Sequence, residues 1–357
     1  MHFCVVGAGL AGVNFALLAL SRGHEVTLLH AGSRKSPPAS RAAGGLMNAV
    51  TGPRLNPSWK SQALFQHARL WYRHLENILD TSFYEDWVLC RALEEKVSLR
   101  AYHKRIRRWD GRNWFLPEDT YHTEYRRAEQ RWGCEVCLLP VGRLHVQKLL
   151  SLGLEYLSLH GSVLEKEVDF HAHDASLTSV QQTDKRHREE WVVYCLGSDT
   201  MDHPLLSNLP IVLARGEVLE VEYSFPPPPA ILNRYRKWMI PGEEQRAWVG
   251  ATYEQVGNGG VSTDDGKDVL LNAANAILPD NPVLRVCDHR AGIRACSTDQ
   301  LPYVGVHPQQ PGLATLCALG SKGVLMAPWT ASVLLSHLEG QIALPGQIDL
   351  RRCWAKK

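Results

Sequence analysis

The 357-residue sequence contains no apolar run long enough to cross a bilayer, for which about 20 consecutive apolar residues are needed. Its start, Met1-His2-Phe3-Cys4-Val5-Val6, lacks the basic stretch, apolar stretch and small-residue cleavage site of a secretory leader; it reads as a strand entering a glycine loop. Cysteine is scattered and odd in number, with Cys4, Cys90, Cys134, Cys137, Cys195, Cys287, Cys296, Cys317 and Cys353. That argues against a secreted disulfide framework and predicts a cytoplasmic protein with reduced thiols. Cys134-x-x-Cys137 has no second pair and no histidines at matching spacing, so two ordinary thiols are expected rather than zinc. The sixteen histidines show no metal-ligand clustering, and no Ser/His/Asp or paired-carboxylate set has convincing spacing. A net charge of only +2 supplies no global field that would demand a nucleic-acid or membrane partner. Internal repeats and low-complexity tails are absent.

What is present is an ordinary globular balance, 45% hydrophobic and 21% charged, in a chain long enough to bury a sizeable core as one large or two interleaved domains. The opening predicts a strand over 2–6, a glycine loop over 7–12, a helix over 11–22 and a strand over 25–30. Gly7-Ala8-Gly9-Leu10-Ala11-Gly12 matches G-x-G-x-x-G in the context that gives the motif meaning, after a strand and opening a helix. The first glycine permits the tight turn, the second lets backbone approach a pyrophosphate, and the third lets the helix pack closely. The helix N-terminus then stabilises phosphate with free amides and its dipole. The motif predicts a dinucleotide without choosing between FAD and NAD(P). At the end of the second strand, where an acidic residue usually holds ribose hydroxyls, stands His30, whose imidazole can still hydrogen-bond a hydroxyl. Ser33, Arg34 and Lys35 follow and offer a 2′-phosphate site, which keeps an NADP-dependent reductase open; a solvated loop is the plainer account.

Further along, 60–79 is helical in pattern, with Leu64, Ala68, Trp71, Tyr72 and Leu75 on one face. Residues 142–157 also read as helix, and 191–196 as a buried strand ending at Gly197. Strand-like alternation over 211–222 and 238–253 is separated by Pro226–Pro229, which fits only a turn or a sheet-edge loop. Pro328 is placed in the first turn of a last helix that ends near Gly340. Residues 98–131 hold nine Lys/Arg against five Asp/Glu, a basic patch for an anionic substrate or simply a solvated face.

Short blocks in order make most of the chain resemble the D-amino-acid oxidase superfamily of FAD enzymes. They are the glycine loop, Ala39-Ser40-Arg41-Ala42-Ala43-Gly44-Gly45-Leu46, Val192-Val193-Tyr194-Cys195-Leu196-Gly197, and Leu209-Pro210 through Ala214-Arg215-Gly216-Glu217-Val218. Then come Trp248-Val249-Gly250-Ala251-Thr252-Tyr253, Ala291-Gly292-Ile293-Arg294 with Asp299, Leu301-Pro302 and Gly305, and Ala318-Leu319-Gly320-Ser321-Lys322-Gly323 before Ala327-Pro328. Within the superfamily the chain is similar to glycine oxidase and to the FAD domain of a tRNA-modifying enzyme that removes a glycine-derived unit from a wobble uridine. That enzyme's methyltransferase domain has no counterpart in these residues. The likeness is thin over 76–140 and 255–285.

The resemblance implies an α/β (α+β) fold: a Rossmann-type FAD-binding domain with an inserted, mostly antiparallel-sheet substrate domain, the pocket lying where they meet. The FAD-binding domain would be discontinuous over 1–75, 141–210 and 290–357, and the substrate domain would occupy 76–140 and 211–289. It implies cofactor contacts from Gly7, Gly9, Leu10, Ala11 and Gly12, from His30 on the ribose, from Ser40, Arg41, Ala43, Gly44 and Gly45, and from Gly197. Val163 would meet the adenine side through its backbone. The loop Gly320, Ser321, Lys322 and Gly323 precedes a helix, so amides and a positive dipole end can face the flavin, with Lys322 adding charge. FAD is expected to be noncovalent, because the flavin-bearing cysteine of sarcosine-oxidase relatives falls at Gly292, out of register with Cys296. Arg294 stands where glycine oxidase-like enzymes bind the substrate carboxylate, and a guanidinium matches a carboxylate bidentately. Trp238 stands where an aromatic residue covers the substrate, and Met47, Asn48 and Tyr303 are further pocket candidates.

The implied activity is oxidation of the C–N bond of an amino acid or N-substituted glycine to an imine, by hydride transfer to flavin N5. The acceptor is O2 or another oxidant, since the lysine that activates oxygen in some relatives falls at Trp248. Open alternatives are a tRNA wobble-uridine-modifying flavoenzyme with tRNA as partner, an FAD-dependent dehydrogenase with a non-oxygen acceptor, the NADP reductase, and a module whose flavin is only structural.

Overall fold

Apolar runs and alternating patterns resolve into two large sheets and a two-stranded antiparallel ribbon over 50–57. The computed structural model describes residues 1–32, 38–107, 114–117, 122–168, 190–255 and 261–354. Ser33, Arg34 and Lys35, and part of the basic 98–131 stretch, lie outside the described residues. The first half of the chain gives β1 (His2–Val6), α1 (Leu10–Ser21), β2 (Glu25–His30), β3 (Leu46–Met47), β4 (Val50–Thr51), β5 (Asn56–Pro57), α2 (Ser61–Ile78), β6 (Tyr84–Ala92), α3 (Lys96–Ile106), α4 (His122–Trp132), β7 (Val136–Leu144), α5 (Val146–His160) and β8 (Ser162–Glu165). The second half gives β9 (Glu190–Tyr194), β10 (Ile211–Tyr223), β11 (Ile231–Arg234), β12 (Lys237–Pro241), β13 (Arg246–Gly250), β14 (Glu254–Gln255), α6 (Asp264–Ile277), β15 (Val283–Ser297), β16 (Tyr303–Val306), β17 (Leu313–Cys317) and α7 (Gly323–Leu338).

The first sheet runs β16-β17-β9-β1-β2-β8. β8, β2, β1, β9 and β17 are parallel and β16 closes the edge antiparallel. Side chains alternate across it. Phe3, Val5, Leu28, Val193 and Leu316 pack under α1, α2, α5 and α7. Cys4, Val6, Leu29, Tyr194 and Cys317 face a second cluster containing Leu206, Leu209, Ala295 and Leu350. Strands covered on both faces read as nearly continuous apolar runs, as these do.

The second sheet runs β14-β10-β13-β12-β11-β6-β7-β3, with β15 paired along β10. It is antiparallel except for β11 beside β6. One face carries Val88, Cys90, Leu219, Leu232 and Met239 against α4 and α6. The other carries Leu89, Ile231, Ile240 and Trp238. The fold is therefore mixed α/β, a Rossmann-type sheet joined to a mostly antiparallel one. Strands of the second sheet run past the expected divisions at 141 and 290, since β7 ends at Leu144 and β15 at Ser297.

Several local expectations need correction. Residues 142–144 finish β7, and α5 starts only at Val146. The alternation over 238–253 is two strands, β12 and β13, joined by a turn in which Gly242 N–H donates to Arg246 O. Pro328 is not in the first turn of α7 but its sixth residue. Proline cannot donate to the carbonyl four residues earlier; that carbonyl, on Val324, instead accepts from the Tyr72 hydroxyl of α2 at 2.7 Å. Among the described residues, no helix is long and apolar enough to cross a membrane.

Candidate active site

A cavity of about 790 Å³ is walled by the glycine loop, the 38–53 segment, the 195–199 turn, the Gly320 loop and one face of the second sheet. At its nucleotide end β1 gives way to Gly7 at φ +114°, and a Cβ there would strike the Cys195 carbonyl. A Cβ on Gly12 would overlap the Gly7 carbonyl oxygen, so only glycine lets α1 pass this close. Gly9 caps α1, whose first turn holds no acidic residue, and Leu10 N–H donates to Ser40 Oγ at 3.1 Å. The positive end of α1 therefore faces the cavity without a compensating carboxylate of its own. His30 lines the cavity too, and its Nδ1 accepts from Gly32 N–H at 3.2 Å. The neutral ring then carries its proton on Nε2, where it can meet a hydroxyl. Arg41, Ala43, Gly44, Gly45 and Gly197 also form the wall. Val163 does not; it pairs with Leu28 between β8 and β2.

The Gly320–Lys322 turn leads straight into α7, again with no acid in the first turn. Gly320, Ser321, Lys322 and Gly323 all line the cavity, and burial pulls the Lys322 ammonium below its ordinary pKa.

On the second sheet, alternation aims Leu89, Arg91, Asn233, Trp238, Gly216, Val218, Gly292 and Arg294 at the same space. The Trp238 indole lies against both Gly44 and Gly250, and a Cβ on either would collide with it. Gly216 likewise leaves room for the Arg294 guanidinium. Arg294 Nη1 donates to the carbonyls of Arg215 and Thr252 at 3.3 and 3.2 Å, and its guanidinium lies 5.6 Å from the Tyr253 ring. Burial lowers its pKa, and no carboxylate of the described residues comes within ion-pair distance. Thr252 is fixed in turn, its Oγ1 accepting from Glu217 N–H at 2.9 Å. Fully buried Glu217 also binds Thr263 and His289 behind the wall.

Met47 and Tyr303 are not part of the wall. Successive side chains of a strand point to opposite faces, so β3 turns Met47 into the helix-side core while Leu46 and Asn48 line the cavity. Tyr303 donates to Pro210 O at 3.3 Å under the Arg352 guanidinium. Sequence reasoning missed Tyr253, Arg91, Asn233 and Arg236 as wall residues. The signal for Arg91 was its place two residues from Leu89 in a strand, but β6 lies in the stretch of thinnest resemblance. Among the described residues that line the cavity, Arg41, Arg91, Arg236, Arg294 and Lys322 are cationic and only Asp199 is acidic. No group of three or more described His, Cys, Asp or Glu is placed to hold a metal.

The sequence model of the DAO family, described as FAD dependent oxidoreductase, matches residues 2–336. The tRNA 5-methylaminomethyl-2-thiouridine biosynthesis bifunctional protein MnmC of Acinetobacter baylyi is 25% identical over 369 residues, covering 95% of this chain and 53% of that protein. Glycine oxidase of Pseudomonas putida is 26% identical over 188 residues, covering 52% of this chain and 49% of that enzyme. The chain thus spans about half the length of the curated relatives it matches. The crystal structure of glycine oxidase from Geobacillus kaustophilus superimposes with a TM-score of 0.76 at 18% identity, covering 98% of each chain.

Proposed function

The chain belongs to the DAO family of FAD-dependent oxidoreductases, and on that premise we propose that it oxidises the C–N bond of an amino acid or N-substituted glycine to the imine, with O2 as acceptor. FAD takes the place of the NADP alternative in the dinucleotide loop. The glycine cradle suits it: Gly7, Gly9 and Gly12 admit a pyrophosphate beside the amides of α1, Gly44 keeps the wall thin next to Trp238, and Gly45 lets it pass close to the Leu144 backbone. When bound, FAD supplies the two-electron acceptor for the hydride leaving the substrate α-carbon. By the register of the family resemblance Gly292 stands where flavin-bearing relatives carry cysteine, which supports noncovalent FAD.

The observation that carries the reading is Arg294, a part-buried guanidinium in the cavity wall with carbonyl partners and, among the described residues, no carboxylate. Two carbonyls hold one edge, and the remaining N–H groups suit a substrate carboxylate. Trp238 then limits how the rest of the substrate lies. An excess of positive groups disfavours a protonated amine and so favours the neutral form needed for oxidation. Lys322 and the α7 N-terminus add positive potential that favours an anionic reduced cofactor. None of the nine cysteines is in a disulfide, which supports a cytoplasmic setting.

The test is visible absorbance of the FAD-loaded protein during anaerobic addition of glycine, sarcosine and longer N-substituted glycines. Bleaching by at least one is expected. Arg294→Gln should lower kcat/KM roughly 30- to 5000-fold, the range for truncating one partner of a buried charge pair. An unchanged kcat/KM would remove Arg294 from the site. A second reading, that the amine belongs to a tRNA nucleoside, is favoured by the MnmC relative and by exposed Arg100, Lys104 and Arg107 on and beside α3, with Arg126 on α4. Salt-sensitive tRNA retention would support it.

A further inference from the structure

Beyond adding to the cavity's positive potential, Arg91 has no assigned contact with substrate or cofactor. It sits on β6 with only 9% of its surface exposed, yet lines the cavity. Its Nη2 donates to Gly52 O at 2.8 Å, and burial pulls its pKa down. No described carboxylate forms an ion pair with it. Glu95, the nearest candidate by charge, is held by Arg236 at 2.9 Å. A buried guanidinium kept facing a cavity without a counter-ion is costly unless a ligand completes it.

Its location relative to Arg294 follows from strand register. Arg91 pairs with Asn233, Asn233 with Trp238, and Trp238 with Gly250. Arg91 thus stands two strands from Trp238, roughly 10 Å between backbones at the usual strand spacing. Arg294 lies on β15, beyond β13 and β10, on the opposite side of the indole. Leu89 shares the Arg91 wall, and the Asn233 amide is steadied by donating to Lys237 O at 3.1 Å.

We propose that Arg91 is a second anion-binding group of the same cavity, and that the preferred substrate is an N-substituted glycine whose nitrogen arm ends in its own carboxylate. This rests on the assignment of the first carboxylate to Arg294. Glycine and sarcosine are too short to reach Arg91. A diacid whose arm is long enough to pass the indole is held at both ends, and the best arm length is what the probes below rank.

The test needs no turnover. Thioether diacids, with sulfur replacing the amine nitrogen, are compared with alkylthioacetates of equal length. Dissociation constants are read from perturbation of the flavin spectrum in the FAD-loaded protein. The diacid of best length is expected to bind at least about tenfold tighter than its neutral partner, as a charge-assisted pair implies. Arg91→Gln should bring that ratio close to one while leaving the neutral probe unchanged, and Arg91→Lys should retain part of the preference. Arg294→Gln should weaken both probes alike. Equal binding of the two probes by the wild type, or equal loss of both in Arg91→Gln, overturns the proposal. If N-alkylglycines still bleach the flavin in that case, the Arg294 reading survives alone. If neither probe binds and no amine bleaches, both fall together.

Discussion

Tyr72 supplies with one hydroxyl what Pro328 withholds. The Val324 carbonyl would be orphaned in the fully buried contact between α2 and α7 but for the 2.7 Å bond from Tyr72. Burial holds that phenol well above its ordinary pKa, so it remains a donor at any working pH. Tyr72→Phe is expected to cost roughly 1–3 kcal/mol, the penalty for an unpaired buried acceptor. The loss would appear as a lower urea midpoint with unchanged slope; an unshifted midpoint would mean that α7 tolerates the gap. At this scale the sequence was partly legible. Pro328 was recognised as belonging to a helix, but its partner lies 256 positions away in the chain by number and leaves no local trace. Arg294 could be singled out within its block and Trp238 by its chemistry alone, and both line the cavity. Met47 could not be separated from Asn48, because a one-residue step in a strand decides which of them meets the cavity.

Among elements, the glycine loop between β1 and α1 is the least forgiving. Gly12 abuts the Gly7 carbonyl, so Gly12→Ala must push α1 away from the loop or strain both. Overpacking of this kind costs about 1–3 kcal/mol. The expected outcome is at least a tenfold drop in FAD affinity with the helical circular-dichroism signal retained; undiminished affinity would show that the loop adjusts freely. This unit was legible because strand, loop and helix each carry an independent signal. β6 was not, since both of its faces are buried over Val88–Arg91 and no alternation marks it. The join of β7 and α5 was also hidden. Val136–Val141 is apolar throughout, Gly142 and Arg143 still belong to β7, and only His145 separates that strand from α5.

For the molecule as a whole, both sheets contribute to one cavity, so a bound dinucleotide contacts segments that are distant in sequence. FAD should therefore stabilise the fold by mass action, by about 2.7 kcal/mol at a free concentration one hundred times Kd. Stripping it should lower Tm, and readdition should restore Tm in a concentration-dependent way. A Tm indifferent to FAD would mean that the cofactor binds the unfolded chain equally well or does not bind. The two-layer arrangement was legible through the order of motif blocks. The cationic character of the cavity was not, because its five positive residues come from five separate stretches of chain.

The indole of Trp238, fitted against Gly44 and Gly250, makes bulk exchangeable at the pocket floor. Neither glycine can grow while the ring is present. Once the ring is trimmed, the vacated space can be refilled from Gly44, or from Gly250 if the Val218 side chain gives way. Selectivity could then drift through a lineage by trading side-chain volume among three segments, the sum held nearly constant while the shape offered to a ligand changes.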